Sequence, residues 1–256
     1  MSRSKKALLV GINYKGTDAE LNGCINDVSN IHQMLIQKFG YKEADITVLT
    51  DETELQPTRA NILAYFLDLL LVSNCDLYFH YSGHGSQMKD SNGDEADGMD
   101  EALVPIDYNE SGLITDDELR GLLQCMQQSC KLTIVLDCCH SGSGMDLAYN
   151  LYERVGKNYL LTDPNSSKTG GRTHGQVVCL SGCMDSQTSA DAYIGKQYQG
   201  ALTANLLLAL DTLSPRTRTY SNLYNTIKRG LATGKYTQIP CFSAGTFVDM
   251  NSIMML

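Results

Sequence analysis

The 256-residue chain has no excess of positive charge: 20 Lys and Arg stand against 29 Asp and Glu, a formal charge of −9. Without a basic face to neutralise phosphates, nucleic acid is excluded as the main partner, whereas a basic ligand or a divalent cation suits the balance. Long hydrophobic runs are missing too. The run nearest the start, Ala7 to Ile12 with Gly11 inside it, is too short for a secretory or spanning segment. No membrane span is therefore expected, and the expected location is the cytoplasm. Low-complexity tracts, repeats and a Pro-rich arm are likewise absent. The nine cysteines are odd in number and lack any regular framework. In a reducing compartment, catalysis or plain burial explains them better than disulfides do.

What is present is enough apolar residue, 43% of the chain, to bury a substantial core in one large domain or two small ones. KALLVGINY reads as a buried strand, ITVLTD as a second, DLYFHYSGHGS as a third running into a Gly-rich loop, KLTIVLD as a fourth, QVVCLSGC as a fifth and GTFVDM as the last. Helices are expected over Asp27–Phe39, closed by Gly40, and over Thr58–Leu71, opened by Pro57 and Thr58. A third starts near Asp116, where Thr115 and Glu118 form a capping-box pattern, and two more cover Ala201–Leu210 and Leu223–Leu231. Residues 150–175 are polar and read as a linker. Mostly continuous apolar strands alternating with helices mark an α/β fold: a mainly parallel sheet of six to eight strands with helices on both faces.

Functional residues in such sheets gather beyond the carboxyl ends of the strands. Four strands end in GINYKG, SGHGS, DCCHSGS and SGCMDS, so these polar tails should share one edge. One tail supplies His84 and another Cys138 and Cys139. A thiol becomes a nucleophile when a base favours its thiolate. His140 is a poor base, because adjacent side chains in an extended loop diverge. His84, between Gly83 and Gly85, leaves room for substrate and thiol, and the amides of Gly85 and of the nucleophile suit an oxyanion. A Cys-His dyad for acyl transfer is the natural reading.

Spacing alone does not separate Cys138 from Cys139, although alternation puts Asp137 and Cys139 on one side. Zinc would want paired C-x-x-C spacings, and a disulfide between neighbours is strained. Cys75, Cys125, Cys130, Cys179 and Cys241 read as buried apolar residues, His32 and His174 as solvated, and His80 as a satisfied core residue.

YSGHGS followed by DCCHSGS, with GCINDV, GDEADGMDEALVPIDY, ITDDEL, LSGCMDSQTSADA, GALTANLLLAL and QIPCFSAGTF in order, resembles a type I metacaspase among the caspase-like cysteine peptidases, here without a Pro-rich N-terminal extension. The resemblance implies a single caspase-like domain over residues 1–256. It divides into a large-subunit-like part (1–149), a linker (150–175) and a small-subunit-like part (176–256). It implies Cys139 as nucleophile, His84 as general base and acid, and Cys138 as a bystander. It implies cleavage after Arg or Lys, with Asp27, Ser82 and Asp137 in the pocket; two carboxylates at a pocket's base favour a basic side chain. Asp27 has a plainer reading as the cap of a helix at Val28.

Calcium is the implied cofactor, held by Asp100, Asp116, Asp117 and Asp146; hard oxygen ligands suit it. The plainer reading of Asp116 and Asp117 is a helix N-terminus, and of Asp146 a solvated loop. Asp90, Asn92, Asp94 and Glu101 mimic an EF-hand loop, but Glu95 stands where glycine is required, so that motif is rejected. Cys24 is expected to pack beside the pocket, and Asp185 to line the groove. Lys5, Lys6, Arg154, Lys157, Lys168 and Arg172 are candidate sites of self-cleavage. The partners expected are protein or peptide substrates with Arg or Lys at the cleavage position, and the expected state is a monomer. The competing reading is a catalytically silent scaffold or chaperone-like protein on the same fold, and a third is an Asp-specific caspase.

Overall fold

The computed structural model describes residues 3–89, 99–138, 145–154, 157–162, 171–182, 191–194, 197–236, 238–254 and 256. Cys139, His140, Lys168, Asp185 and the Asp90–Glu95 stretch lie outside them. An eight-stranded sheet runs in the order β2-β1-β3-β7-β10-β13-β8-β9. Its strands are β1 (Ser4–Gly11), β2 (Ile46–Thr50), β3 (Cys75–Ser82), β7 (Lys131–Asp137), β8 (Tyr149–Arg154), β9 (Lys157–Thr162), β10 (Gln176–Ser181) and β13 (Cys241–Ala244). The first five in spatial order pair in parallel, and the last three join antiparallel. Two small antiparallel sheets lie outside it. One holds β4 (Gly85–Lys89), β5 (Met99–Leu103) and β6 (Ile114–Thr115), the other β11 (Asp191–Ile194) and β12 (Gln197–Gly200).

The strands are apolar on both sides because both sides are covered. Ala7 and Leu9 of β1 join one core with α1 (Cys24–Phe39), α5 (Ala201–Thr212) and α6 (Tyr220–Thr233). Leu8 and Val10 join the other with α2 (Arg59–Leu70) and α4 (Asp116–Leu123). Each fully buried side chain of the size of Phe66 or Leu9 contributes about 1.5–3 kcal/mol of transfer free energy. A single-turn helix, α3 (Tyr108–Ser111), precedes β6.

Local signals act where the sequence places them. Gly40 ends α1 at φ +70° and donates its N–H to the Leu35 carbonyl. Thr58 accepts from the Asn61 N–H at the start of α2. Thr115 and Glu118 form the reciprocal capping box of α4.

Three expectations change. GTFVDM is not a strand: Val248 and Met250 are buried and Phe247 exposed, as a strand would have them, but CFSA already occupies the sheet position beside β10. The segment read as a linker carries β8 and β9, which extend the sheet at its edge through the pairing of Ser243 with Asn150. Lys5 and Lys6 lie inside β1, paired on the β3 side, rather than in an accessible loop. Among the described residues no helix is long and apolar enough to cross a membrane.

Candidate active site

Sheet register brings the strand ends together. Gly11 pairs with Ser82, Ser82 with Asp137, and Leu136 with Ser181, so β1, β3, β7 and β10 finish on one edge. In sequence, His84 follows β3 after Gly83, and Cys139 follows β7 after Cys138.

The His84 peptide is clamped by two buried tyrosines. Its N–H donates to the Tyr14 hydroxyl at 3.0 Å, and its carbonyl accepts from the Tyr81 hydroxyl at 2.8 Å. Tyr14 itself donates to the Val104 carbonyl at 2.6 Å, and its ring lies 4.8 Å from the imidazole. Burial pushes both phenols well above their usual range, so they act only as neutral donors and acceptors. Gly83 serves this clamp: a Cβ there would sit 2.8 Å from the Tyr81 hydroxyl and 3.0 Å from that of Tyr14. The glycine thus makes room for two hydroxyls, where the sequence suggested room for substrate.

On the ring, Nε2 lies 2.8 Å from the Ala19 carbonyl oxygen. A carbonyl only accepts, so Nε2 carries the proton and the neutral ring presents Nδ1 as its lone pair. Gly85 opens β4 opposite Leu103.

The expected pocket residues meet around Gly200. Asp27 is fully buried, accepts from the Ser82 hydroxyl at 2.7 Å, and takes the Gly200 N–H at 2.9 and 3.0 Å on its two oxygens. It does not cap α1; that role falls to Asn13, whose side-chain oxygen accepts from the Cys24 N–H at 3.0 Å. Asp137 accepts from Thr203 twice, at 2.8 Å from the backbone N–H and 2.7 Å from the hydroxyl. A Cβ on Gly200 would lie 2.1 Å from one oxygen of Asp137 and 2.7 Å from one of Asp27. Two carboxylates from β7 and α1 therefore flank one backbone position. Cys138 turns the other way and is buried in the core with Leu136 and Ile134. Cys24 is buried in α1, one turn from Asp27.

Gly200 and Thr203 lie in GALTANLLLAL, and nothing in that segment alone marks either of them. Ala19 carries no side-chain signal at all, because its carbonyl does the work.

Of the expected calcium residues, Asp100 and Asp116 are buried, as is Glu101, and Asp116 lies within the electrostatic reach of Asp146 and Glu101. Burial first, then the charges of Asp146 and Glu101, push the Asp116 carboxyl well above the usual carboxylate range. Asp117 and Asp146 both face Arg120, Asp117 through an ion pair and Asp146 at 3.8 Å. Asp146 holds φ +42°, and its carbonyl lies where a Cβ on Gly171 would come within 2.3 Å. It is thus part of a packed turn that is only partly exposed, against the solvated loop of the plainer reading. Asp116 and Asp117 do open α4, but Asp116 is too buried for a helix terminus to be its whole account. Crowded, buried, repelling carboxylates are the donor type that a hard divalent cation relieves, so the set fits calcium in kind. Among the described residues no three His, Cys, Asp or Glu side chains are already grouped as a metal cage.

Of the remaining cysteines and histidines, Cys125 is exposed and Cys241 half-buried, against the expectation of burial, since each sits at an element end. His32 pairs with Glu43 at 3.0 Å, and His174 is exposed. His80 is fully buried, but among the described residues neither ring nitrogen has a hydrogen-bond partner, so it is a core residue without being a satisfied one. Arg172 is exposed, its guanidinium over the Tyr149 ring.

Comparison with known proteins bears on the fold and the family. The crystal structure of protein GSU0716 from Geobacter sulfurreducens superposes with a TM-score of 0.68, covering 98% of this chain and 97% of that one, at 22% identity, which speaks for the fold alone. Metacaspase-1A of Neurospora crassa is 35% identical over the whole chain, and Metacaspase-1 of Cryptococcus neoformans 37% identical over 98% of it. The chain spans 66% and 64% of the length of these two relatives. Residues 5–148 match the family described as metacaspase, peptidase C14 domain. With a family match over more than half of its length and relatives 35–37% identical along nearly all of it, the chain belongs to the metacaspases, a family of cysteine peptidases.

Proposed function

We propose that this protein is a calcium-activated cysteine endopeptidase that cleaves peptide bonds after Arg or Lys. The observation that carries the reading is the meeting of Asp27 and Asp137 around Gly200, beside Ser82 and on the sheet edge that bears His84. Two buried carboxylates at one pocket base match a guanidinium or ammonium group and oppose an acidic side chain.

In this reading the Cys139 thiol gives its proton to Nδ1 of His84, and the thiolate attacks the scissile carbonyl. The Gly85 amide, with that of Cys139, receives the negative charge that develops on the carbonyl oxygen. His84 then returns the proton to the leaving amine, and water, deprotonated by the same ring, hydrolyses the acyl-enzyme. The Ala19 carbonyl holds the ring in one tautomer and stabilises the imidazolium that forms at each proton transfer.

Calcium would be held by Asp100, Asp116, Asp117 and Asp146, where it would add positive charge to a group in which Arg120 faces two of the carboxylates. Asp146 lies seven residues after Cys139, so neutralising it bears on the segment that follows the nucleophile. A monomer in a reducing cytoplasm completes the proposal.

The test is hydrolysis of fluorogenic peptides ending in Arg, Lys or Asp, with calcium or chelator, beside Cys139→Ala. Release from Arg and Lys peptides only, dependent on calcium and lost in the variant, is the expected result. Silence from folded protein in every condition would favour the scaffold reading, and release from the Asp peptide would overturn the acidic pocket.

A further inference from the structure

The helix α5 begins without a cap of its own. Its N-cap is Gly200, which has no side chain, and no side-chain hydrogen bond closes its first turn from within. The first N–H groups of a helix still need acceptors. Here they find the two pocket carboxylates: Gly200 N–H goes to Asp27, and Thr203 N–H to Asp137. Both acceptors precede the β8–β9 hairpin in sequence, whereas α5 follows it, so the pocket is built across the two parts of the domain.

Thr203 does more than a generic first-turn residue. Its hydroxyl donates to the same Asp137 oxygen, Oδ2, that its N–H already contacts, at 2.7 Å, and the residue is fully buried. Two donors on one oxygen fix the carboxylate's rotation about its last bond. The other oxygen, Oδ1, is the one nearest Gly182, 3.3 Å from where a Cβ would stand.

We propose that Thr203 is a positioning residue of the substrate pocket, setting the orientation of Asp137 and with it the preference for Arg over Lys. The proposal rests on the Arg/Lys reading above. A guanidinium binds carboxylates through a planar fork and needs them correctly turned, while an ammonium is a point charge that tolerates rotation. Loss of the Thr203 hydroxyl therefore weakens Arg substrates more than Lys substrates. It acts on binding of the basic side chain and leaves the dyad untouched.

The experiment compares wild type, Thr203→Val and Thr203→Ser with matched Arg and Lys peptides in calcium, counting active sites by alkylation of Cys139. Valine keeps the shape and the N–H; serine keeps the hydroxyl. In Thr203→Val, kcat/KM for the Arg peptide should fall on the order of 10-fold or more, mainly through KM, and the Arg/Lys ratio should fall with it. Thr203→Ser should restore both. A merely structural role would lower the active fraction without changing KM or the ratio per active site, and that outcome overturns the proposal. If the valine protein does not fold, Thr203→Ala, which cannot overfill the site, is read by the same criteria. Wild type that cleaves neither peptide overturns the specificity reading and the proposal with it; wild type that cleaves both while Thr203→Val keeps its ratio overturns the proposal alone.

Discussion

The Nε2 of His84 lies 2.8 Å from the carbonyl oxygen of Ala19, across 65 residues of sequence. A backbone carbonyl here does what a carboxylate does in many triads: it holds the tautomer and turns the ring. The ring's orientation depends in turn on the His84 peptide that carries it. That peptide is held by Tyr14 and Tyr81.

Tyr14→Phe should therefore damage the site without touching the dyad's chemistry. It removes the acceptor of the His84 N–H and the donor to the Val104 carbonyl, both in a buried setting. The Val104 carbonyl still faces the Tyr81 hydroxyl at 3.0 Å, but leaving the His84 N–H unpaired costs about 1–3 kcal/mol. Urea denaturation should report that loss, and kcat should fall roughly 10-fold, the effect of about 1.4 kcal/mol in the barrier, with KM for the Arg peptide little changed. Unchanged stability would show that the clamp is not carrying the loop.

Gly83→Ala tests the same clamp from the other side. The new methyl group meets both tyrosine hydroxyls inside ordinary contact distance. Overpacking of this kind costs about 1–3 kcal/mol. The expected outcome is a lower melting temperature together with lost activity. The double variant Gly83→Ala, Tyr14→Phe should lose less than the sum of the two, because one clash partner is gone.

His80 gives the protein a pH dependence of its own. Burial lowers its pKa from 6.5 to about 3, so the folded state holds the neutral ring while the unfolded chain binds a proton below pH 6.5. Its contribution is fully present above about pH 6.5 and is lost progressively as the pH falls toward 3. In His80→Leu, the fall in stability between pH 7 and pH 5 should be shallower than in wild type. At pH 7 the variant should be as stable or more stable, since two unpartnered ring nitrogens are removed. Denaturant titrations of both proteins across that range make the comparison, and parallel curves would show that the ring is protonated or solvated.

Sequence and structure part company in instructive places. The edge shared by four strand tails was legible because parallel, doubly covered strands must be apolar throughout, and KLTIVLD or DLYFHY admit little else. The start of α4 was legible because Thr115 and Glu118 satisfy each other locally. Thr203 was not, since its partner lies 66 residues away and is chosen by the register of β7 against its neighbours. Nor was Ala19, whose contribution is a carbonyl that every residue possesses. GTFVDM misled because its alternation of buried and exposed residues is that of a strand, and only the prior occupation of the sheet by Cys241–Ala244 decides otherwise.

The acidic group around Asp116 yields the last prediction, in which two variants move in opposite directions. Asp116 is buried and accepts from the Glu101 N–H, and burial with the charges of Asp146 and Glu101 raises its pKa. A carboxyl whose folded pKa is raised favours folding less as the pH climbs above about 4, so at neutral pH it is a cost to the cation-free protein. Asp116→Asn removes that cost and should raise the cation-free melting temperature by about 2–4 °C, the shift expected for roughly 1 kcal/mol in a chain of this size. It should also abolish any rise on adding calcium. Arg120 stands on the other side of the balance, placing its guanidinium between Asp117 and Asp146. Arg120→Gln should lower the cation-free melting temperature, because both carboxylates lose the guanidinium they face. In exchange it should lower the calcium concentration needed for half-maximal thermal protection, because the ion no longer competes with a resident cation. Thermal melts across a calcium titration read both effects without reference to peptidase activity. If Arg120→Gln weakened calcium protection, the guanidinium would be supporting the carboxylates rather than competing for them, and if Asp116→Asn kept the calcium response, Asp116 would not be a ligand.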